Sequence, residues 1–340
     1  MDTDTIESRG VQPLLNVLKA MGGWPLLEGS AWDERDFKWY SLVWRFRQLG
    51  YSVDYLLDFS VTADLKNSSW RVLDLDQPKL GISREYLTAG LQDMEVAAYL
   101  AYMIDITTML GADRHQAEVE MLEVLHFEMQ LANISLGREE RRDSNLLYNR
   151  MVISDLYQLD PNTPWLEYVN NLLTPDILTV GPEEPVIVEV PSYVRSLGSL
   201  LQLTPGRVQA NYLMWRAASS SLSYLSHRAE QVSRAFSKEL SGKRELPPRW
   251  MKCVTATSSS LANAMGSLYV SKYFRESSRA AAVEMVEEIR TQFSLMLDRL
   301  DWMDEVTRAN AKEKAEAMET HIGYPIELLD MKTLDQVRDQ

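Results

Sequence analysis

Apolar residues recur at the spacing of an α-helix through most of this 340-residue chain. From Ala282 to Leu300 they follow one another in steps of four, three, four, three and four residues. This spacing places them on one face of a helix, which we expect to turn toward a core. Similar patterns predict helices at 13–21, 91–110, 114–133, 207–240, 249–274 and 304–319. The sequence therefore predicts a mainly α fold.

One region departs from helical spacing. Apolar and polar residues alternate from Tyr51 to Val61, and a turn-like segment at 64–68 and a short run from Trp70 to Leu75 follow. This pattern predicts one small β-hairpin within 51–75. The segments 138–148 and 174–188 are predicted loops, because the first is charged and the second is rich in Pro and Gly. We place a boundary in the second loop, which gives an amino-terminal helical subdomain over 1–180 and a long-helix subdomain over 189–340.

The charge balance argues against nucleic acid as a partner. The chain has 49 acidic and 35 basic residues, a net charge of −14, whereas a surface that follows phosphates needs the opposite sign. The apolar stretch Val96–Ile104 is about half the roughly 20 residues that a membrane-spanning helix needs. The first residues lack a basic segment and an apolar segment. We expect neither a secretory signal nor a membrane span in this sequence.

The positions of the histidines exclude a helical zinc site of the His-Glu-x-x-His type. The four histidines are His115, His126, His227 and His321, and no two of them are four residues apart. The motifs of a nucleophile elbow, a phosphate loop and a dinucleotide-binding turn are also absent. We therefore expect no catalytic, cofactor-binding or metal-binding residue in this chain.

One pair of residues leaves an alternative open. Glu123 and His126 match half of the motif that binds two metal ions inside carboxylate four-helix bundles, but the sequence has no second Glu-x-x-His pair. A histidine that forms only local contacts on the flank of a helix is the simpler interpretation. The alternative, a carboxylate-bridged metal enzyme, predicts bound iron or manganese.

Three residues are candidates for covalent modification. Cys253 is the one cysteine, so the chain has no internal disulfide, and it is a candidate half-cystine. Asn67 and Asn133 each begin an Asn-x-Ser triplet at or beside a predicted loop, and both are candidate sites of N-glycosylation.

Several phrases of the sequence resemble, in order and from end to end, the amino-terminal ectodomain region of the neprilysin and endothelin-converting enzyme family. They are Ile6-Glu7-Ser8-Arg9-Gly10, Gly23-Trp24-Pro25, Asp76-Gln77-Pro78-Lys79-Leu80-Gly81, Leu146-Leu147-Tyr148-Asn149-Arg150-Met151, Tyr212-Leu213-Met214-Trp215-Arg216, Leu268-Tyr269-Val270, Trp302-Met303-Asp304 and His321-Ile322-Gly323-Tyr324-Pro325.

The resemblance implies a zinc metalloendopeptidase that cleaves small peptides, either on the extracellular side of the plasma membrane or secreted. Its fold is a gluzincin-type peptidase with two mainly helical lobes around a cavity. The carboxy-terminal lobe of this family carries the His-Glu-x-x-His helix and the zinc. The amino-terminal part builds most of the opposite lobe and restricts access to the cavity. This chain resembles that second part, so we expect it to be inactive alone and its natural partner to be its own catalytic domain.

The resemblance also bears on Cys253. The segment Trp250-x-x-Cys253 is similar to a Trp-x-x-Cys segment of the family, whose cysteine forms a disulfide with one just before the phrase at Ile6. That second cysteine would lie outside these 340 residues. A close cysteine pair that the family commonly has near 85–100 is absent. Without the second lobe, we expect exposed apolar surface and self-association. A truncated peptide-binding or decoy protein is the remaining alternative.

Overall fold

The computed structural model describes residues 2–173, 178–241, 247–325 and residue 329. Contacts divide the chain into two compact units, Asp2–Leu246 and Pro247–Gln340. We refer to them as the first unit and the second unit.

Helices make up most of the first unit. They are α1 Thr3–Arg9, α2 Gln12–Ala20, α3 Pro25–Glu28, α4 Trp39–Gln48, α5 Arg84–Ala89, α6 Met94–Met109, α7 Arg114–Ile134, α8 Ser144–Leu147, α9 Leu156–Leu159, α10 Trp165–Leu172, α11 Pro191–Leu203, α12 Gly206–Ser221 and α13 His227–Ser241. The prediction of a mainly α fold is confirmed.

Local signals set the ends of the two central helices, α6 and α7. The Asp93 carboxylate accepts bonds from the backbone N–H groups of Glu95 and Val96 at 3.0 and 3.2 Å, and Asp113 caps α7 in the same way. These bonds satisfy backbone donors that have no partner within the helix. Gly111, with a positive φ of 112°, lies in the short connection between the helices.

A four-stranded sheet in the order β1-β2-β4-β3 completes the first unit. The strands are β1 Asp58–Ala63, β2 Arg71–Asp76, β3 Arg150–Val152 and β4 Pro185–Val188. β1 and β2 form the predicted hairpin, which is confirmed. β4 pairs in parallel with β2, and β3 pairs antiparallel with β4. Of the segment 174–188, which was predicted to be a loop, residues 174–177 lie outside the described residues and the last four residues form β4.

The core of the first unit surrounds α7. This helix contacts α5, α6, α11 and α12, and nine of its residues are buried. Large aromatic side chains fill the space around it, and Trp24, Trp165, Trp215 and Tyr212 are almost fully buried. Burial of side chains of this size stabilises the fold by about 1.5–3 kcal/mol each. The first unit therefore has a large hydrophobic core of its own.

The described part of the second unit is helical. Its helices are α14 Arg249–Ser260, α15 Ala262–Tyr273, α16 Glu276–Leu297 and α17 Glu305–Glu316. The single helix predicted over 249–274 is two helices, because Leu261 adopts a non-helical conformation with φ −126° and ψ 47°. The helix predicted over 207–240 is also divided, by a 3-10 turn at Leu222–Tyr224 between α12 and α13.

Among the described residues, no helix combines the length and the apolar character that crossing a lipid bilayer requires.

Candidate functional site

The four histidines do not come together. His115 and His126 are exposed on α7, and His227 begins α13, where its Nδ1 lies 3.8 Å from Glu230 Oε2. His321 is in the second unit and is nine-tenths exposed. Within the described ranges, no group of three or more His, Cys, Asp or Glu residues could hold a metal ion. The residues described here therefore do not fit a zinc site.

Glu123 and His126 both lie on the exposed face of α7. A carboxylate-bundle metal site requires side chains that project inward, between the helices. The buried carboxylates of α7 are instead Glu120 and Glu128. The Glu-x-x-His pair is thus on the wrong side of its helix for a bundle site.

Glu128 is at the centre of a buried polar network between α7 and α12. Its Oε1 accepts a bond of 2.6 Å from Gly81 N, and its Oε2 accepts one of 3.0 Å from Tyr99 OH. Arg216 Nη1 on α12 lies 3.7 Å from Glu128 Oε1, and both side chains are at most one-tenth exposed. Burial raises the pKa of Glu128, while the positive charge of Arg216 acts in the opposite direction.

A close approach explains why residue 81 is a glycine. A Cβ atom at Gly81 would lie 2.0 Å from Tyr99 OH and 3.0 Å from Glu128 Oε1. Trp215 Nε1 donates a bond of 2.7 Å to the same Tyr99 hydroxyl. The phrase that ends at Gly81 and the phrase that contains Trp215 and Arg216 therefore meet at one buried carboxylate.

A second buried carboxylate lies two turns earlier on α7. Glu120 accepts bonds from Arg207 at 2.8 and 3.1 Å and from Gln116 at 2.6 Å, and Asn211 donates to it as well. Burial alone would raise the pKa of Glu120, but these bonds outweigh it and hold the pKa below its ordinary value. Glu120 is therefore ionised and tightly held.

Arg207 and Asn211 also fix the segment around the phrase Gly23-Trp24-Pro25. Arg207 donates to the carbonyls of Pro25 and Gly29 at 2.9 and 3.1 Å. The Asn211 side chain accepts a bond of 3.0 Å from Leu26 N. The two ion pairs, Glu120 with Arg207 and Glu128 with Arg216, thus join α7 to α12 and tie both helices to distant loops.

Four carboxylates gather at one end of the sheet. Asp58 and Asp76 are directly opposite each other on β1 and β2, and Glu189 is close enough to Asp74 for its charge to raise the pKa of Asp74. Burial raises the pKa of Asp74 to about 7, and the charges of Glu189, Asp76 and Asp58 add to this effect. Arg141 compensates in part, since its guanidinium donates to Asp76 at 2.7 Å and to Glu189 at 2.8 Å.

The two predicted glycosylation sites differ in structure. Asn67 is exposed in the turn between β1 and β2, and its Oδ1 accepts a bond of 3.3 Å from Ser69 N, which leaves Nδ2 for attachment. Asn133 lies in the last turn of α7, one residue before the helix ends. The hydroxyl of its triplet, on Ser135, is buried and donates to Leu131 O at 2.7 Å. Asn67 is thus the more accessible site.

Cys253 is half-buried in the second turn of α14. Its backbone carbonyl accepts a bond of 2.9 Å from the hydroxyl of Thr257.

Large apolar side chains are exposed throughout the second unit. The predicted apolar face of α16 is not buried: Ile289, Phe293 and Met296 are 63, 40 and 49% exposed. Other exposed apolar residues of this unit are Trp250, Met251, Val254, Leu261, Leu268, Tyr269, Tyr273, Met285, Leu295, Trp302, Val306, Met318 and Leu329. Its buried apolar residues in the described range are only Val270, Leu297, Ala315 and Tyr324. So large an apolar exposure is unusual for a soluble monomer.

Residues 1–325 match the sequence profile of Peptidase family M13. The chain is 44% identical to Neprilysin-2 of Drosophila melanogaster over 98% of its own length and 45% of that protein. It is 33% identical to Endothelin-converting enzyme 1 of Homo sapiens, over 99% of its own length and 43% of the relative. The chain thus spans less than half the length of these relatives.

A solved structure has a similar fold. It is a zinc metalloprotease of Mycobacterium tuberculosis in complex with an inhibitor, with a TM-score of 0.76 and 21% sequence identity. The similarity covers 93% of this chain and 46% of that one.

Proposed function

Because the chain belongs to Peptidase family M13, we propose that it forms the amino-terminal, substrate-gating part of a neprilysin-like zinc endopeptidase. The observation that carries this proposal is the contrast between the two units. The first has a complete hydrophobic core, whereas the second exposes most of its large apolar side chains. A polypeptide that follows this region in the full-length enzyme would cover them.

Zinc supplies this family with a Lewis acid that activates water and polarises the scissile carbonyl. The residues described here do not fit a zinc site, so no step of peptide hydrolysis is derived from them. We propose that they contribute a rigid wall, in which the ion pairs between α7 and α12 hold the helices in one arrangement. Such a wall would limit the cavity to small peptides. The enzyme would act outside the cell, secreted or at the plasma membrane.

The decisive experiment compares two proteins, this 340-residue chain and a version extended to the length of its relatives. Each is assayed for zinc content and for cleavage of a quenched fluorescent peptide that has a large apolar residue after the scissile bond. We expect zinc binding and chelator-sensitive cleavage by the extended protein only. Stoichiometric zinc and chelator-sensitive cleavage in the shorter chain would contradict the proposal.

The second candidate is a peptide-binding or decoy protein without catalytic activity. The exposed apolar surface of the second unit is what favours it, since apolar surface can bind peptides as well as another part of the protein. If the shorter chain binds the same peptide without cleaving it, and the extended version does not cleave it either, this second function replaces the first.

A further inference from the structure

A cavity of about 430 Å³ lies in the first unit, between the connection from β2 to α5 and the end of α7. Its lining comes from residues 77–85 and from 135, 136, 138 and 141. We call it the basic cavity. It adjoins the Glu128 network, because Gly81 lines the cavity and also donates to Glu128. None of the functions considered above uses it.

The charge of the basic cavity is opposite to that of the whole chain. Lys79, Arg84, Arg138 and Arg141 line it, and Glu85 is its single acidic lining residue. In a chain of net charge −14, the lining thus carries four positive charges and one negative charge. Because Asp76 and Glu189 neutralise Arg141, the local excess is two positive charges. The pKa of Glu85 lies below its ordinary value. Its hydrogen bonds with its own backbone and with Ser83 are the main causes, and the positive charges of Arg138 and Arg84 add to the effect.

Two of the four cations are held in place by the protein. Arg84 Nε donates to the carbonyls of Ala132 and Ser135 at 3.1 and 2.9 Å. Arg141 is fixed by its bonds to Asp76 and Glu189, which also neutralise its charge. Gln77 adds a rigid polar wall through two bonds to the backbone of Leu136, at 2.8 and 3.1 Å.

The other two cations, Lys79 and Arg138, lie at the exposed rim. No ion pair or hydrogen bond joins either side chain to another residue within the described ranges. The neighbouring Glu140 carboxylate already accepts a bond from Gly137 N at 2.8 Å. A fixed guanidinium with two unengaged cations at the rim is an arrangement suited to an anionic ligand with several oxygens.

We propose that the basic cavity binds a multiply charged oxyanion, with Arg84 positioning the ligand and Lys79 and Arg138 closing over it. The shared chemistry is that of a phosphoryl or sulfate group and of paired carboxylates on an acidic peptide. A doubly charged anion would offset the local excess of two positive charges. This site goes beyond the proposed peptidase role and does not depend on it.

The test measures binding of inorganic phosphate to the full 340-residue chain by ³¹P NMR titration at constant ionic strength. A second arm uses succinate, a dicarboxylate, measured by its competition with phosphate and by calorimetry. We expect the double variant Lys79→Gln/Arg138→Gln to bind about tenfold more weakly or worse, because two charged hydrogen bonds are lost. We expect Glu85→Gln to bind roughly twofold more tightly or better, because a like charge is removed.

The matched control is Arg142→Gln. Arg142 is next to Arg141 in the chain, is exposed and lies 3.9 Å from Glu139, but it does not line the cavity. The affinity of this variant for phosphate and succinate should stay within about twofold of that of the parent, since an exposed charge outside the cavity contributes little to binding. Weakened binding of either probe in the double variant supports the proposal and identifies the ligand chemistry. If neither probe binds, or if all variants bind equally, the proposal is overturned.

Discussion

At the scale of single residues, the most consequential feature is that charged side chains occupy core positions of α7. Glu120 and Glu128 lie on the same face as Met121, Val124 and Leu131, and all of them are buried. An ionised carboxylate in such a place is tolerated only when it is paired and hydrogen-bonded. The geometry around each one meets that condition.

The Glu128 network predicts a large penalty for removing its arginine. Replacing Arg216 by Met leaves a fully buried carboxyl group without its cation, and we expect the free energy of unfolding to fall by about 3–5 kcal/mol. Urea denaturation monitored by circular dichroism measures the change. The double variant Glu128→Gln/Arg216→Met should recover much of the loss, because no unpaired charge remains.

The control for this pair is Glu123→Gln, on the exposed face of the same helix. Its unfolding free energy should stay within about 0.5 kcal/mol of the parent. Equal losses in Glu123→Gln and Arg216→Met would show that the buried pair has no special role.

The carboxylates at the sheet predict a pH dependence of stability. The pKa of Asp74 is raised to about 7 in the folded protein, so the folded state keeps a proton that the unfolded state releases near its ordinary pKa of 3.8. Stability associated with Asp74 therefore falls as the pH rises from about 4 to about 7 and is constant above that range. Because the side chain is partly exposed, we expect a loss of only about 1–2 kcal/mol.

The variant Asp74→Asn should reduce this slope and be more stable than the parent at neutral pH. A smaller slope should remain, because the pKa values of Asp58 and Glu189 are raised as well. Thermal or urea unfolding across that pH range measures the difference. Asp36→Asn, at an exposed position, is the control and should keep the slope. A slope that is unchanged in Asp74→Asn would assign the effect to another group.

At the scale of secondary structure elements, those set by neighbouring residues in the sequence were predicted well, and those that depend on distant residues were not. The ends of α2, α6 and α7 were predicted to within a few residues, because caps, prolines and glycines next to the helix set them. β3 and β4 were missed. They are short, and their pairing depends on partners far away in sequence, as with Leu73 and Val186.

The site was harder to predict than the fold. The sequence did show which histidine patterns were absent, but it did not single out Glu128 or Arg216 as a buried pair. Glu128 could have been found as a charged residue at a core position of the apolar repeat of α7. The exposure of the α16 face could not be predicted either, because periodicity shows that a face is apolar and not what covers it.

The cap of α6 gives a prediction for one helix. Asp93→Ala removes the acceptor for two backbone N–H groups and should lower the free energy of unfolding by about 1 kcal/mol. Asp93→Asn keeps a side-chain oxygen at the same place and should lose much less. Urea denaturation of the two variants side by side tests the cap, and equal losses would argue against it.

The hairpin turn gives a prediction about modification. When the chain is directed into a secretory pathway, Asn67 should carry a glycan in a larger fraction of molecules than Asn133. Asn67 is in an exposed turn, whereas Asn133 is helical and its Ser135 is buried. The loss of mass on glycosidase treatment should disappear in Asn67→Gln and persist in Asn133→Gln. The opposite pattern would contradict the structural ranking.

At the scale of the whole molecule, the contrast between the two units predicts association of the isolated chain. Its mass is 39.0 kDa, and light scattering should give an apparent mass that rises above this value with concentration. The double variant Ile289→Glu/Phe293→Glu should reduce the rise, because it places charges on the exposed face of α16.

The control for association is Leu65→Glu, which changes an apolar residue that is 76% exposed in the hairpin turn of the first unit. This variant should associate like the parent. A parent protein that stays monomeric at high concentration would contradict the prediction.

The contact between Leu26 N and Asn211 joins residues 185 positions apart. On a ribosome that adds 5–20 residues per second, roughly 10–40 s separate the synthesis of the two. During that time Trp24 and its neighbours have emerged, but the helix that will enclose them has not. These apolar side chains therefore stay exposed until α12 appears, and slow translation before Gly206 would lengthen their exposure to aggregation.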